Sequence, residues 1–197
     1  MQMAERLKMQ PWMKAPETSR VISALTANGV EARFVGGCVR NAVLDVPATE
    51  TDIDIASPLP PDEVTRRLES DNIKVVPTGL AHGTVTAIIG SARFEITTLR
   101  KDVETYGRRA KVAFTNDWAV DAARRDFTIN AMFAAPDGTL YDPCGGREDL
   151  SVGRVRFVGE PEKRMQEDVL RLLRFFRFQA YYGRVAPDEE TLDTCAR

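Results

Sequence analysis

Apolar residues recur at helical spacing in ETSRVISALTAN (residues 17–28). Val21, Ile22 and Leu25 form one stripe there, and Gly29 follows the end. Thr18 or Ser19 is expected to cap the start of that helix. EARFVGG then reads as a strand running into two glycines, and CVRNAVLD as the helix they open. TDIDIAS alternates polar and apolar positions, the mark of a half-buried strand. Three prolines (Pro58, Pro60 and Pro61) end it, and PDEVTRRLES becomes a helix entered through Pro61. IKVVP, TVTAIIG and RFEITTL are rich in β-branched residues and bounded by Gly or Pro, so they are strands. Residues 100–117 are charged, contain Gly107 and lack a clear period, and are expected to form a long loop. VDAARRDFTINAMFAA is expected to be helical, with a last strand fragment in GTLYDP before the turn CGG.

From about residue 161 the pattern becomes purely helical. PEKRMQEDVLRLLRFFRFQAYYG reads as one long helix, and PDEETLDTCAR as the opening of another. The expected organisation is an N-terminal segment and helix (residues 1–28), an α+β domain (29–150) and the start of an all-helical region (151–197). The abrupt stop inside a helix suggests a fragment.

Composition narrows the class without naming a chemistry. The 197 residues are 43% hydrophobic and 28% charged, ordinary globular values that exclude wholesale disorder. No apolar run approaches the roughly 18–20 residues of a membrane span. The N-terminus lacks the apolar core of a signal peptide. Three scattered cysteines (Cys38, Cys144 and Cys195) make no disulfide framework and no zinc motif, which fits a reducing cytoplasm. Nothing in the sequence sets an oligomeric state.

Candidate chemistry starts at Asp52-Ile53-Asp54-Ile55. Residues two apart on a strand share a face, so both carboxylates emerge together while the isoleucines enter the core. Paired hard oxygen ligands on a rigid edge suit Mg²⁺; two solvated surface acids are the plain alternative. Upstream, Gly36-Gly37 joins a strand to a helix, where free backbone N–H groups can meet a phosphate and Arg40 can reach the same anion. Glu95 alternates with Phe94 and Ile96, so it faces away from the core and is a candidate third acid. Arg124 and Arg125 either clamp a triphosphate or a nucleic-acid backbone, or pair with Asp121 and Asp126 as a salt-bridge network. His82 is the sole histidine and is read as a loop residue, not a general base.

On a continuous helix over 161–183, Asp168 and Arg171 would be neighbours and Arg174 within reach, with Arg177 turned to the far side. The spread of leucines and phenylalanines would pack that helix on most sides. An Asp–Arg pair offers an acceptor beside a donor, the complement of the pairing edges of cytosine and adenine. Guanine and uracil would be met acceptor against acceptor and donor against donor, so the pair would select C and A.

Taken in order, GGCVRNAVL, TETDIDIA, AHGTVT, FEITTLRKDVETYGRRAKVAF, RRDFTINAM, YDPCGGREDL and EDVLRLLRFFRF resemble the motifs of class II tRNA nucleotidyltransferases, the CCA-adding enzymes. The resemblance covers roughly residues 30–180. It implies an α+β, polymerase-β-like nucleotidyltransferase head with a mixed sheet and flanking helices, followed by a helical neck. It implies that Asp52 and Asp54 hold Mg²⁺, that Gly37 and Arg40 contact the nucleotide, and that Arg125 binds its triphosphate. Asp168 with Arg171 would read the base, and Arg174 and Arg177 carry over as nucleotide-site arginines. The implied partners are CTP, ATP and the tRNA 3′ end. The family's usual Arg-Asp is here Arg40-Asn41. Two alternatives stay open: a poly(A) polymerase sharing this head, and a truncated nucleotide- or RNA-binding module. The net charge of −2 is no argument against a polyanionic substrate, because residues 163–184 hold six basic residues against two acidic ones.

Overall fold

The computed structural model describes residues 5–46, 53–106 and 109–196. After a 3₁₀ turn at Pro11–Lys14 comes α1 (Pro16–Thr26). Proline fills its first turn and Ala15 stands at the cap position; Thr18 lies inside the helix and is buried, so neither Thr18 nor Ser19 caps it. The chain continues through β1 (Arg33–Val35), α2 (Gly37–Val43), β2 (Ile53–Ser57), α3 (Pro61–Ser70), β3 (Lys74–Gly79), β4 (Thr84–Ile89) and β5 (Ala92–Thr98). These join β8 (Phe133–Ala134) and β9 (Leu140–Tyr141) in a mixed sheet of order β3-β4-β5-β2-β1-β8-β9. Only β2 and β5 run parallel; the other neighbours are antiparallel.

The alternation in β2 and β5 works as read. Ile53, Ile55, Phe94 and Ile96 are buried, while Glu95 is exposed and Asp54 half-buried. A core runs from Val21 and Leu25 of α1 through Phe34, Ile55 and Leu68 to the aromatic block of Phe127, Phe157 and Phe175. Phe157 and Phe175 stack at 5.5 Å between ring centroids, and Phe127 meets Phe157 at 4.7 Å.

Three expectations are corrected. Residues 100–117 are not a loop: β6 (Arg100–Tyr106) and β7 (Arg109–Phe114) form an antiparallel hairpin separate from the main sheet. Its charged ribbon lacks an alternating apolar face, and a register shift between Asp102 and Glu104 breaks what period remains. VDAARRDFTINAMFAA is helical only in its first residues, within α4 (Trp118–Ala123); a 3₁₀ turn at Thr128–Asn130 and β8 follow. Phe127, Ile129, Ala131, Met132, Phe133 and Ala134 are all fully buried, so an apolar run buried on every side carries no period to read. The Asp126 carboxylate accepts from the N–H of Phe127 at 2.9 Å, a local bond that competes with helix.

The third correction concerns the long helix. After α5 (Gly146–Val152), α6 (Pro161–Glu167) stops and α7 (Leu170–Tyr182) starts afresh; α8 (Glu189–Ala196) follows. Asp168 between them is extended (φ −156°, ψ 109°), and its Oδ1 accepts from the N–H of Leu170 at 3.0 Å. Nor is α7 packed on most sides. Phe175 and Phe178 are buried, while Leu173, Phe176 and Tyr181 are exposed.

Candidate active site

The sheet wall of the site follows from one register. Val35, the last residue of β1, lies opposite Asp54 of β2, so the turn after Val35 lands beside the Asp54 carboxylate. Gly36 turns there with φ +74°, a conformation that L side chains rarely adopt, and a Cβ on it would stand 3.3 Å from Asp54 Oδ2. Gly37 then opens α2, which carries Arg40. On the parallel neighbour β5, Glu95 is level with Asp54. Aligned residues of paired strands share a face, so the two carboxylates face the same side. Asp52 lies outside the described residues.

Arg40 is buried and donates to Asn130 Oδ1 and, at 3.3 Å, to Asn41 Oδ1; its guanidinium lies 4.5 Å from the Tyr182 ring centroid. Burial pulls its pKa below the usual guanidinium value, and Tyr182 and Asp126 only partly offset this. The neutral Asn41 therefore supports Arg40 without neutralising it. Behind the wall, burial and the Asp54 charge push the Cys38 thiol up to about 12, which makes it an inert packing group.

The opposite wall is helical. Asp168, Arg171, Arg174 and Arg177 all line the same cleft of about 580 Å³ as Gly36, Gly37, Arg40 and Asp54. Arg177 is thus not turned away, because the break at Asp168 resets the helix and α7 presents 171, 174 and 177 together. Nor do Asp168 and Arg171 form an ion pair among the described residues: Arg171 binds Glu167 and, at 3.1 Å, the Arg164 carbonyl. Arg174 is tied across the cleft to Asp126, with Nε 2.7 Å from Oδ2. Arg124 and Arg125 line the cleft too, and both pair with the buried Asp121. Glu95 is not among the lining residues. His82 is exposed in a 3₁₀ turn at Leu80–His82, away from the cleft.

The chain matches the Poly A polymerase head domain over residues 32–156. It belongs to that family. The members most informative for this chain are CCA-adding enzymes. It is 48% identical over 162 residues to the mitochondrial CCA tRNA nucleotidyltransferase 1 of Danio rerio, covering 82% of this chain and 36% of the relative. The CCA-adding enzyme of Oceanobacillus iheyensis is 40% identical over 186 residues, 93% of this chain and 44% of the relative. Among solved structures, the CCA-adding enzyme of Bacillus stearothermophilus in complex with CTP matches with a TM-score of 0.80 at 34% identity, over 94% of this chain and 43% of that one. A tRNA nucleotidyltransferase complexed with a primer tRNA and an incoming ATP analog matches with a TM-score of 0.70 at 27% identity, over 89% and 48%. These matches bear out the resemblance read from the motifs. The chain spans about two-fifths of the length of the curated relatives it matches.

Motif reading alone passed over two contributors to the site. Asn130 is buried, bonds Arg40 through its oxygen, and reaches Asp126 at 3.3 Å through its amide nitrogen. Its sequence signals are its place inside RRDFTINAM and an amide among mostly apolar residues. Tyr182 backs Arg40 from the end of α7, and nothing in the sequence links the two residues.

Proposed function

We propose that this chain carries the nucleotidyl-transfer site of a CCA-adding enzyme, which adds CMP and AMP from CTP and ATP to the tRNA 3′ end without a nucleic-acid template. The observation carrying this reading is the cleft itself. One wall offers a carboxylate on a rigid strand, the other offers an acid and three arginines, and Arg124 and Arg125 line the same cleft. Relatives bearing this activity in their names support it.

The donor set suits a divalent metal such as Mg²⁺. Asp54 presents hard oxygen beside a glycine turn whose positive φ disfavours a side chain, and Glu95 is level with it. Asp54 would hold the metal together with Asp52, two positions earlier in the sequence. When bound, the metal ions supply activation of the attacking 3′-hydroxyl and neutralisation of the pyrophosphate leaving group. The chain's own residues do the rest by positioning and charge. Arg124 and Arg125 hold the triphosphate, and Arg40 supports the nucleotide from α2. Asp168 accepts from the exocyclic amino group of C or A, and Arg171, oriented by Glu167, donates to the ring nitrogen. Arg174 and Arg177 extend the basic wall.

A reducing compartment such as the cytoplasm fits three free cysteines, although three vertebrate relatives carry mitochondrial names. No helix among the described residues is long and apolar enough to cross a membrane. The family name brings in a second chemistry, poly(A) synthesis. Incubating the chain with tRNA lacking its 3′ end and labelled CTP and ATP tests both. Incorporation of C, C, A and then a stop is expected; an unlimited A ladder supports poly(A) synthesis instead. Calorimetric titration with CTP alone separates a competent nucleotide site from competent tRNA extension.

A further inference from the structure

Asp121 is not part of the cleft lining, yet it holds two residues that are. Its Oδ1 accepts from Arg124 Nε and Nη2 at 2.9 and 2.7 Å, and its Oδ2 from Arg125 Nε and Nη2 at 3.2 and 2.9 Å. One carboxylate thus fixes two guanidinium forks, one per oxygen. Its side chain is 1% exposed, and those of the arginines are 14% and 17% exposed. The root of the β6–β7 hairpin closes the arrangement. The Arg100 N–H donates to Asp121 Oδ1 at 3.1 Å, and its carbonyl accepts from Arg124 Nε at 3.1 Å.

The charges at this site do not balance. Arg100, Arg124 and Arg125 gather around Asp121, and the Asp102 charge acts on Arg100 and Arg124 without an ion pair among the described residues. A surplus of positive charge remains even with Asp102 counted. Nε and Nη1 of Arg100 are buried with no hydrogen-bond partner. Burial, followed by the Arg124 charge, lowers the Arg100 guanidinium to about 10. Burial pushes the Asp121 carboxyl up, but Arg125 and Arg124 outweigh it and leave it below its ordinary value. Buried ion pairs contribute little net stability compared with apolar packing, so stability alone does not explain an excess of desolvated cations. Arg100 does not line the cleft, but Arg124 and Arg125 do, and they share the single Asp121 carboxylate, so an anionic ligand in the cleft supplies negative charge that Asp121 alone does not.

We infer that Asp121 is the positioning residue for triphosphate recognition: it presets Arg124 and Arg125 as a rigid double fork and leaves their surplus charge for the polyphosphate of the incoming nucleotide. This rests on the nucleotidyl-transfer reading above. A positioning role at the phosphates acts on CTP and leaves contacts to the base and to the single phosphate of CMP in place. General loosening of the fold would weaken both ligands.

The test is calorimetric titration of the 197-residue chain with CTP and with CMP in Mg²⁺, for the wild type, Asp121→Asn, Arg125→Ala and the double variant. Asp121→Asn is expected to weaken CTP by about tenfold and CMP by less than about twofold. Asp121→Asn should cost less CTP affinity on the Arg125→Ala background than on the wild type, since one of the two arginines through which Asp121 acts is already gone. If the wild type binds CTP and CMP alike, the nucleotidyl-transfer reading falls and the inference with it. A wild-type preference for CTP that Asp121→Asn retains, or an equal loss for both ligands, overturns the inference alone. Should circular dichroism show Asp121→Asn unfolded, Arg125→Lys carries the test. It keeps the charge and loses the fork, so it must lose most of the CTP-over-CMP preference; full retention overturns the role of the preset fork.

Discussion

The two walls of the cleft are held by different physics. On the sheet wall, Gly36 and Asp54 are placed by backbone register: Val35 opposite Asp54, and the turn following directly. On the helical wall, the charged side chains are placed by ion pairs, Arg171 by Glu167 and Arg174 by Asp126, on a helix anchored through Phe175 and Phe178. A strand ladder tolerates almost no displacement, whereas side-chain ion pairs can be re-formed one at a time. On the proposed nucleotidyl-transfer reading, chemistry that needs fixed atoms falls to the sheet wall, and discrimination between bases, which needs donors and acceptors adjusted to a ligand, falls to the helical wall.

The largest test of that division is Asp54→Asn, together with Asp52→Ala. Either substitution should lower nucleotide incorporation by about a thousandfold while circular dichroism and melting stay near wild type. Retained activity would sink the metal assignment. Next comes a pair that probes the geometry of the turn. Gly36→Ala forces a side chain into positive φ and toward Asp54, and should destabilise by about 1–3 kcal/mol as well as impair transfer. Gly37→Ala meets only Arg40 Nη2, at an ordinary contact distance of 3.6 Å, and should be far milder in denaturant titrations. Equal effects of the two would mean that register does not set this wall.

The same division explains what the sequence discloses. Period-two alternation in TDIDIAS and RFEITTL is a local consequence of strands with one face buried, so both the elements and the outward direction of Glu95 were legible. What the alternation could not show is that β5 lies beside β2 with Glu95 level with Asp54, since pairing of distant strands leaves no local trace. The helical wall was legible in composition and wrong in geometry. A wheel drawn through Asp168 assumes a continuous helix, and one carboxylate bonding the N–H of Leu170 ended it. The hairpin Arg100–Tyr106 and Arg109–Phe114 stayed hidden because a charged ribbon outside the main sheet has no apolar face to alternate. Phe127–Ala134 misled for the opposite reason, being buried on all sides.

Selectivity sharpens the contrast at a lower amplitude. Asp168→Ala should reduce the preference for CTP and ATP over UTP and GTP by about tenfold, measured with all four labelled nucleotides. Sheet-wall substitutions should lower incorporation of all four and leave their ratios alone. If Asp168→Ala slows CTP and UTP equally, the residue serves the fold at the α6–α7 break and not the base.

The smallest expected effect lies where the two modes of placement meet. Glu95 shares the register of Asp54, so the backbone has already put it on the right face, but it is exposed and does not line the cleft. A carboxylate in that position can hold metal-bound water or bind the metal directly, and the two roles differ in magnitude. A direct ligand lost to Glu95→Gln would cost activity on the scale of Asp54→Asn at any Mg²⁺ concentration. A carboxylate acting through water would cost only a few-fold, and raising Mg²⁺ would recover part of it, since supporting residues around a metal typically change affinity by about 10–100-fold. Exposure favours the second outcome. Incorporation by Glu95→Gln, titrated against Mg²⁺, should therefore approach wild type at saturating metal; a flat, low plateau would place Glu95 in direct contact with the metal beside Asp54.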